Sequence, residues 1–371
     1  MLWQIGTAGT GYSTPAVVGN RLYLLGNEGL DDESVRAFST SDGKSLWQTR
    51  IGKVGNPDQQ PKFPAARSTP TVEGDLLYAL GSDGDLACME TAQGKIRWKK
   101  SLRSDFGGKP GIWAYSESPL IDGNTLVCTP GGADATMLAL DKRTGEVLWK
   151  LAIPGGEDAA YSSVVIAEAG GIRQYVQMLH KGLVGVDAKS GKLLWRHDKT
   201  TSRYNANIPT PVVHGTQIYS AGAGTGGGLV QLKADGNSVT AEPVYFSPKL
   251  PAAIGGAVRV GDFLYGTTGQ SMICADFATG AIRWEERALG TAAFCVADQR
   301  LYLNAENGEV GLVEPSPEGL REKGRFTPKG RPARSQPMEK GWAYPVVADG
   351  KLYLRDHGQV WCYDVRSPAA R

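Results

Sequence analysis

Short apolar runs, many alternating with polar residues, are cut along this chain by pairs of glycine with aspartate or asparagine. One stretch shows the pattern in full. Ser68-Thr69-Pro70-Thr71-Val72 leads to Gly74-Asp75 and then to Leu76-Leu77-Tyr78-Ala79-Leu80. Asp83-Gly84 precedes Leu86-Ala87-Cys88-Met89, and Gln93-Gly94 precedes Ile96-Arg97-Trp98. Strand-like runs joined by such tight turns predict successive antiparallel hairpins, here four strands in a row, A to D.

The unit recurs. Gly43, Gly94, Gly145, Gly191 and Gly280 are each followed four residues later by tryptophan, at Trp47, Trp98, Trp149, Trp195 and Trp284. The first four tryptophans are spaced 51, 51 and 46 residues apart. A period of this size marks units that cannot bury their own apolar face, and four antiparallel strands per unit make a propeller blade. Strand A opens near Ser13, Ser68, Glu117, Ser162, Pro209, Gly255, Ala292 and Ala343. The predicted fold is therefore all-β, an eight-bladed β-propeller of four-stranded antiparallel blades. Tyr245 and Phe326 are placed in the tryptophan position of the fifth and seventh blades. The last blade runs out at Val360-Trp361-Cys362-Tyr363-Asp364 with no fourth strand, while Leu2-Trp3-Gln4 begins the chain as a fourth strand without a blade. The Trp3 strand is expected to join the last blade and close the ring, removing the exposed sheet edges of an open array. Residues 1–371 then form one domain, with blades at about 12–50, 67–101, 116–152, 161–197, 208–247, 254–288, 292–327 and 342–364 plus 2–6.

Composition narrows the classes. No apolar run reaches membrane-spanning length, and a net charge of +2 without a dense Lys/Arg run lacks the footprint of a nucleic-acid binder. The basic, Pro- and Gly-containing stretch 321–341 reads as a solvated loop, as does the acidic Asp31-Asp32-Glu33. Cys88, Cys274 and Cys362 share a third-strand position that carries Ala37, Ala139 and Gly185 in other blades. A position restricted to small residues is a tight-packing one, so these thiols act as small apolar groups rather than as a disulfide framework. No secretory signal precedes the first strand, which fits removal of an upstream segment. A monomer is the expected state.

The runs Ala139-Leu140-Asp141-Lys142-Arg143-Thr144-Gly145-Glu146-Val147-Leu148-Trp149 and Val186-Asp187-Ala188-Lys189-Ser190-Gly191-Lys192-Leu193-Leu194-Trp195 resemble the tryptophan-docking repeat of the pyrroloquinoline-quinone (PQQ) propeller superfamily. Ala275-Asp276-Phe277-Ala278-Thr279-Gly280 opens a further copy. That superfamily holds quinoprotein dehydrogenases and non-enzymatic relatives, among them the eight-bladed lipoprotein of the outer-membrane β-barrel assembly machinery, which is closer to this chain in size. The resemblance implies a periplasmic or other extracytoplasmic setting. It also implies that the tryptophans cap the gaps between blades and carry no chemistry.

Loop lengths point to one face. The A–B turns are minimal, as at Gly19-Asn20, Gly74-Asp75 and Gly123-Asn124, whereas the connections entering strand A are long: 52–66, 103–115, 198–207 and 321–341. Function concentrates on elaborated loops held by a rigid scaffold. Around the axis at that end stand Tyr12, Arg67, Trp113 with Tyr115 and Glu117, Tyr161, the segment 203–207, and Trp342 with Tyr344. Arg67, Trp113, Glu117, Tyr161, Arg203, Asn207 and Trp342 are the candidate ligand-binding residues; none is assigned a catalytic or metal-binding role. Quinoproteins hold PQQ and calcium at this end, and Arg67, Glu117, Ser162 and Asn207 are similar in type and order to their ligands. The adjacent cysteine pair of the alcohol dehydrogenases is missing, and Tyr161 stands where their tryptophan floor is expected. Leu250-Pro251-Ala252-Ala253-Ile254-Gly255-Gly256 offers no aspartate as general base. The leading reading is a non-enzymatic, cofactor-free propeller that binds a partner protein or small polar ligand on this face. The alternatives are a PQQ- and calcium-dependent alcohol or polyol dehydrogenase and a scaffold in outer-membrane protein assembly. Gly222-Ala223-Gly224-Thr225-Gly226-Gly227 matches a dinucleotide fingerprint, but a strand rather than a helix follows it, so it reads as a hairpin loop.

Overall fold

The structure, a computed structural model, describes residues 1–204, 206–334 and 338–367. Asn205 of the segment 203–207, residues 335–337 of the stretch 321–341, and the last four positions of the domain 1–371 lie outside the described residues. Every element is a β-strand, and the strands form eight antiparallel sheets of four. Within seven sheets the strands follow chain order; in the eighth, Trp3–Ile5 pairs with Gln359–Asp364, Trp3 facing Cys362. The A strands of neighbouring blades lie side by side around the axis, and those of blades 1 and 8 meet to close the ring. The expected architecture and its closing strand are both present.

The seams explain the repeat. Trp47 donates its indole N–H to Thr91 O of the next blade at 3.0 Å, Trp98 to Lys142 O at 3.0 Å, and Trp149 to Ala188 O at 3.1 Å. Trp284 does so to Ser316 O at 2.8 Å, Trp3 to Thr40 O at 3.1 Å, and Tyr245 places its hydroxyl on Phe277 O at 2.8 Å. Beneath five of these six rings, Trp284 being the exception, sits a repeat glycine of the following blade. A Cβ on Gly191 would lie 2.5 Å from the Trp149 ring, and one on Gly280 would lie 2.6 Å from the Tyr245 ring. Gly191 also has a φ of +72°, in the left-handed region that side chains disfavour. The glycine therefore turns the hairpin and vacates space for its neighbour's indole. Trp195 departs from the rule: its N–H goes to Gln174 Oε1 of its own blade at 2.5 Å.

The small third-strand position has the same origin. Ala37, Cys88, Ala139, Gly185, Cys274 and Cys362 stand directly opposite a tryptophan on the paired strand. Leu229 and Leu312 occupy that position where Tyr245 and Gly324 stand opposite. The cysteines are all free. Phe326 is not in the docking position of blade 7: Gly324 holds that register, and Phe326 packs against Tyr363 with ring centroids 4.9 Å apart. The seam is covered from the other side, by Trp361 of blade 8 donating to Lys329 O at 2.9 Å. Nor is 321–341 a loop throughout. Arg321–Phe326 is the exposed fourth strand of blade 7, where Lys323 and Arg325 pair with Glu314 at 3.0 Å and Glu322 at 2.6 Å. Charges of this kind blunt an edge strand.

Charged groups are buried in the seams as well. Arg355 is fully buried and, among the described residues, pairs with no carboxylate; it donates to Ser13 O at 2.8 Å, Leu25 O at 2.7 Å and Gly9 O at 3.2 Å, lacing blade 8 to blade 1. Burial pulls its pKa down to about 9. Glu33 does not lie in a solvated acidic loop: it is buried against blade 2, accepting Ser82 N at 3.0 Å and Ser82 Oγ at 2.5 Å. Glu117 is buried in the same way between blades 3 and 4, accepting from Thr129 N and, at 3.0 Å, from Gln177 Nε2. Burial raises both carboxyl groups from 4.5 to about 7.

Two outcomes are expected. Trp149→Ala should cost about 3–5 kcal/mol in denaturant unfolding, and Gly191→Ala about 2 kcal/mol. The double variant should cost less than the two together, because the new methyl group enters the space the indole has left. Full additivity would contradict the stacking. For Glu33, a folded pKa above the unfolded one means that the native state holds the proton longer, so its contribution turns unfavourable as pH rises from about 4.5 through 7. Glu33→Gln should therefore gain on the parent by about 2 kcal/mol between pH 5 and pH 8, read from unfolding curves at each pH.

Candidate functional site

Alternation along each strand decides which side chains reach the axis. Just before strand A, Thr14, Thr69, Ser118, Ser163 and Thr210 line the central cavity, and the residue before each does not. The axial hydroxyls link the blades: Tyr344 N donates to Thr14 Oγ1 at 3.0 Å, Thr69 N to Ser118 Oγ at 3.0 Å, Ser118 N to Ser163 Oγ at 2.9 Å and Ser163 N to Thr210 Oγ1 at 3.2 Å.

Above this ring, at the end with the long loops, lies a cavity of about 520 Å³. Its walls are largely aromatic. Trp342 packs on Tyr12 with centroids 4.9 Å apart and edge-on to Phe63 at 5.2 Å; Trp113 packs on Tyr161 at 5.8 Å. Trp342 Nε1 donates to Glu306 Oε1 at 3.2 Å, and Trp113 Nε1 reaches Pro61 O at 3.3 Å. The Tyr161 hydroxyl accepts Trp113 N at 3.2 Å. Arg67 enters between the walls, its guanidinium carbon 5.1 Å from the Tyr12 ring centre and its Nη2 on Phe63 O at 2.6 Å and Gln59 Oε1 at 3.1 Å. Burial lowers the Arg67 pKa and raises those of Tyr161 and Glu306.

Of the seven candidate residues, Arg67, Trp113, Tyr161 and Trp342 come together in this cavity, and Glu117, Arg203 and Asn207 do not. Glu117 belongs to the blade 3–4 seam. Asn207 is buried and holds the loop before its own strand, with Nδ2 on Leu179 O at 2.7 Å and Oδ1 accepting Ser202 N at 2.8 Å. Arg203 is exposed on the loop surface. Ser162 also turns away, donating to Gln177 Oε1 at 3.1 Å. Sequence reasoning missed Phe63 and Glu306. Phe63 lies in the long loop 52–66 and carries the signal that singled out Trp113, an aromatic outside the repeat. Glu306 sits in the B–C turn of blade 7, and B–C turns emerge on the face where the loops into strand A emerge.

A quinone with its calcium does not fit this arrangement. The carboxylate and amide that would serve the metal, Glu117 and Asn207, are committed to separate internal hydrogen bonds away from the cavity. Among the described residues, no group of three His, Cys, Asp or Glu side chains converges as a metal site.

Comparison with known proteins agrees with this geometry. The outer membrane protein assembly factor BamB of Salmonella typhimurium strain LT2 is 27% identical over 141 residues, 38% of this chain and 31% of that protein. The chain thus spans about a third of the length of this curated relative. Among solved structures, BamB from Moraxella catarrhalis superposes with a TM-score of 0.66 at 14% identity, covering 94% of this chain and 93% of that one. The quinohemoprotein alcohol dehydrogenase ADHIIG from Pseudomonas putida HK5 gives 0.51 at 13%, covering 98% and 76%. At such identities both likenesses concern the fold alone. The sequence family described as outer membrane protein assembly factor BamB matches residues 31–286, more than half of the chain, and the chain belongs to that family.

Proposed function

We propose that this propeller is a non-enzymatic, cofactor-free scaffold in outer-membrane protein assembly, acting as a monomer in the periplasm and docking a partner protein on its elaborated face. One observation carries the docking face. Ile112, Tyr204 and Met338 are 54%, 68% and 62% exposed, and each sits on a different long loop of the axial end. Large apolar or aromatic side chains held in water by separate loops around one mouth have the composition of a protein-binding patch. The trimmed A–B turns of the opposite face, such as Gly74-Asp75, carry no comparable loops. Membership of an assembly-factor family supports the process proposed. The quinoprotein reading is weaker, because its calcium ligands are spent in the seams and blade 6 supplies no base.

A photo-crosslinking residue at Ile112 or Tyr204, in cells, is expected to give adducts with a component of the β-barrel insertase, and one at Asn20 in a trimmed turn is expected to give none. Equal adducts from both faces would overturn the docking face. Substrate-dependent dye reduction by protein reconstituted with PQQ and calcium would overturn the non-enzymatic reading.

A further inference from the structure

Docking at the loop tips would leave the polar groups of the cavity behind them unmet. We propose that this axial cavity is a binding site for a small aromatic carboxylate, with Arg67 as its cation. The site stands apart from the scaffold reading, since it belongs to the cavity and not to the exposed loops.

Arg67 is the first observation. Among the described residues it has no carboxylate within ion-pair distance; one carbonyl and one side-chain amide accept from Nη2, and its Nε is buried without any acceptor. A guanidinium drawn only partly out of water, with no counter-ion beside it, favours an anion that can meet its fork of donors.

The second observation is independent. Ser116 is a residue of the cavity lining, and its Oγ is buried without a partner. Thr14, Ser118, Ser163 and Thr210 each accept a backbone N–H, which leaves each hydroxyl proton to be donated. The floor is therefore rich in donors and suits a ligand that only accepts. The one carboxylate of the lining, Glu306, is occupied by Trp342 Nε1 and makes no ion pair with Arg67.

The walls set the rest of the ligand. Trp113, Tyr161, Tyr12, Phe63 and Trp342 flank the cation, and about 520 Å³ lies within the range of small-molecule pockets. A flat apolar body between these rings would carry its carboxylate onto Arg67 and Ser116. Replacing the acid by its neutral amide presents an N–H₂ group to a site that already donates, so the structure expects strong discrimination between the two.

Phenylacetate, phenylacetamide and acetate distinguish the parts of the proposal on the purified, unmodified protein. Titration followed by tryptophan fluorescence and by calorimetry is expected to show saturable phenylacetate binding, with the amide and acetate at least about tenfold weaker. Arg67→Gln should abolish the preference for acid over amide, Arg67→Lys should keep part of it, and Arg203→Gln, on the loop surface, should leave it unchanged. Thermal melts of each variant check the fold. Equal binding of phenylacetate and its amide, equal binding of phenylacetate and acetate, or no saturation by phenylacetate below about 10 mM would overturn the assignment. None of these results bears on the crosslinks expected from Ile112 and Tyr204.

Discussion

The stacking of an indole from one blade over a glycine of the next governs this molecule. Each sheet is too narrow to bury both of its faces alone, so its stability depends on the neighbour it leans against. The indole contributes apolar area and a hydrogen bond to a carbonyl of the adjacent blade, and the glycine admits it. Where the docking ring is an indole the paired third-strand position is small, as Cys88, Ala139 and Cys274 are opposite Trp98, Trp149 and Trp284. One contact thus constrains three positions per blade, and those positions are what make the sequence visibly periodic.

That coupling explains how far the sequence could be read. Sheet number, strand order and the pairing of Trp3 into the last blade follow from turns and tryptophans, which mark the backbone directly. Tyr245 could be placed because its blade keeps the register and the following Gly280. Phe326 could not: the bulge between Leu312 and Val313 recurs in the other blades, but here Gly324 rather than an aromatic residue comes to stand opposite Leu312, and nothing local marks that register. The substitute, Trp361, lies in another strand of another blade, and the sequence carries no sign that it turns back toward Lys329.

The site was half legible for a different reason. Aromatic residues in long loops have few places to go, and Trp113 and Trp342 did line the axis. Polar residues at strand starts depend on which of two alternating directions they take. Glu117 and Ser162 each stand one residue before the axial Ser118 and Ser163, and that single step sends them into a seam. The loss of those two positions from the axis separates this cavity from a quinone site more clearly than its aromatic content does. Glu33 was misread by the same mechanism, since an acidic cluster in sequence became one buried carboxyl group on Ser82.

Joining the first strand to the last blade has a bearing on biogenesis. Trp3–Ile5 has no partner until residues 359–364 have left the ribosome, so all seven intervening blades must be made before the circle can be completed. Contacts between such distant positions form slowly, and the open circle exposes an unpaired edge and the Arg355 guanidinium meanwhile. A chain built this way has reason to rely on a holding factor during its maturation.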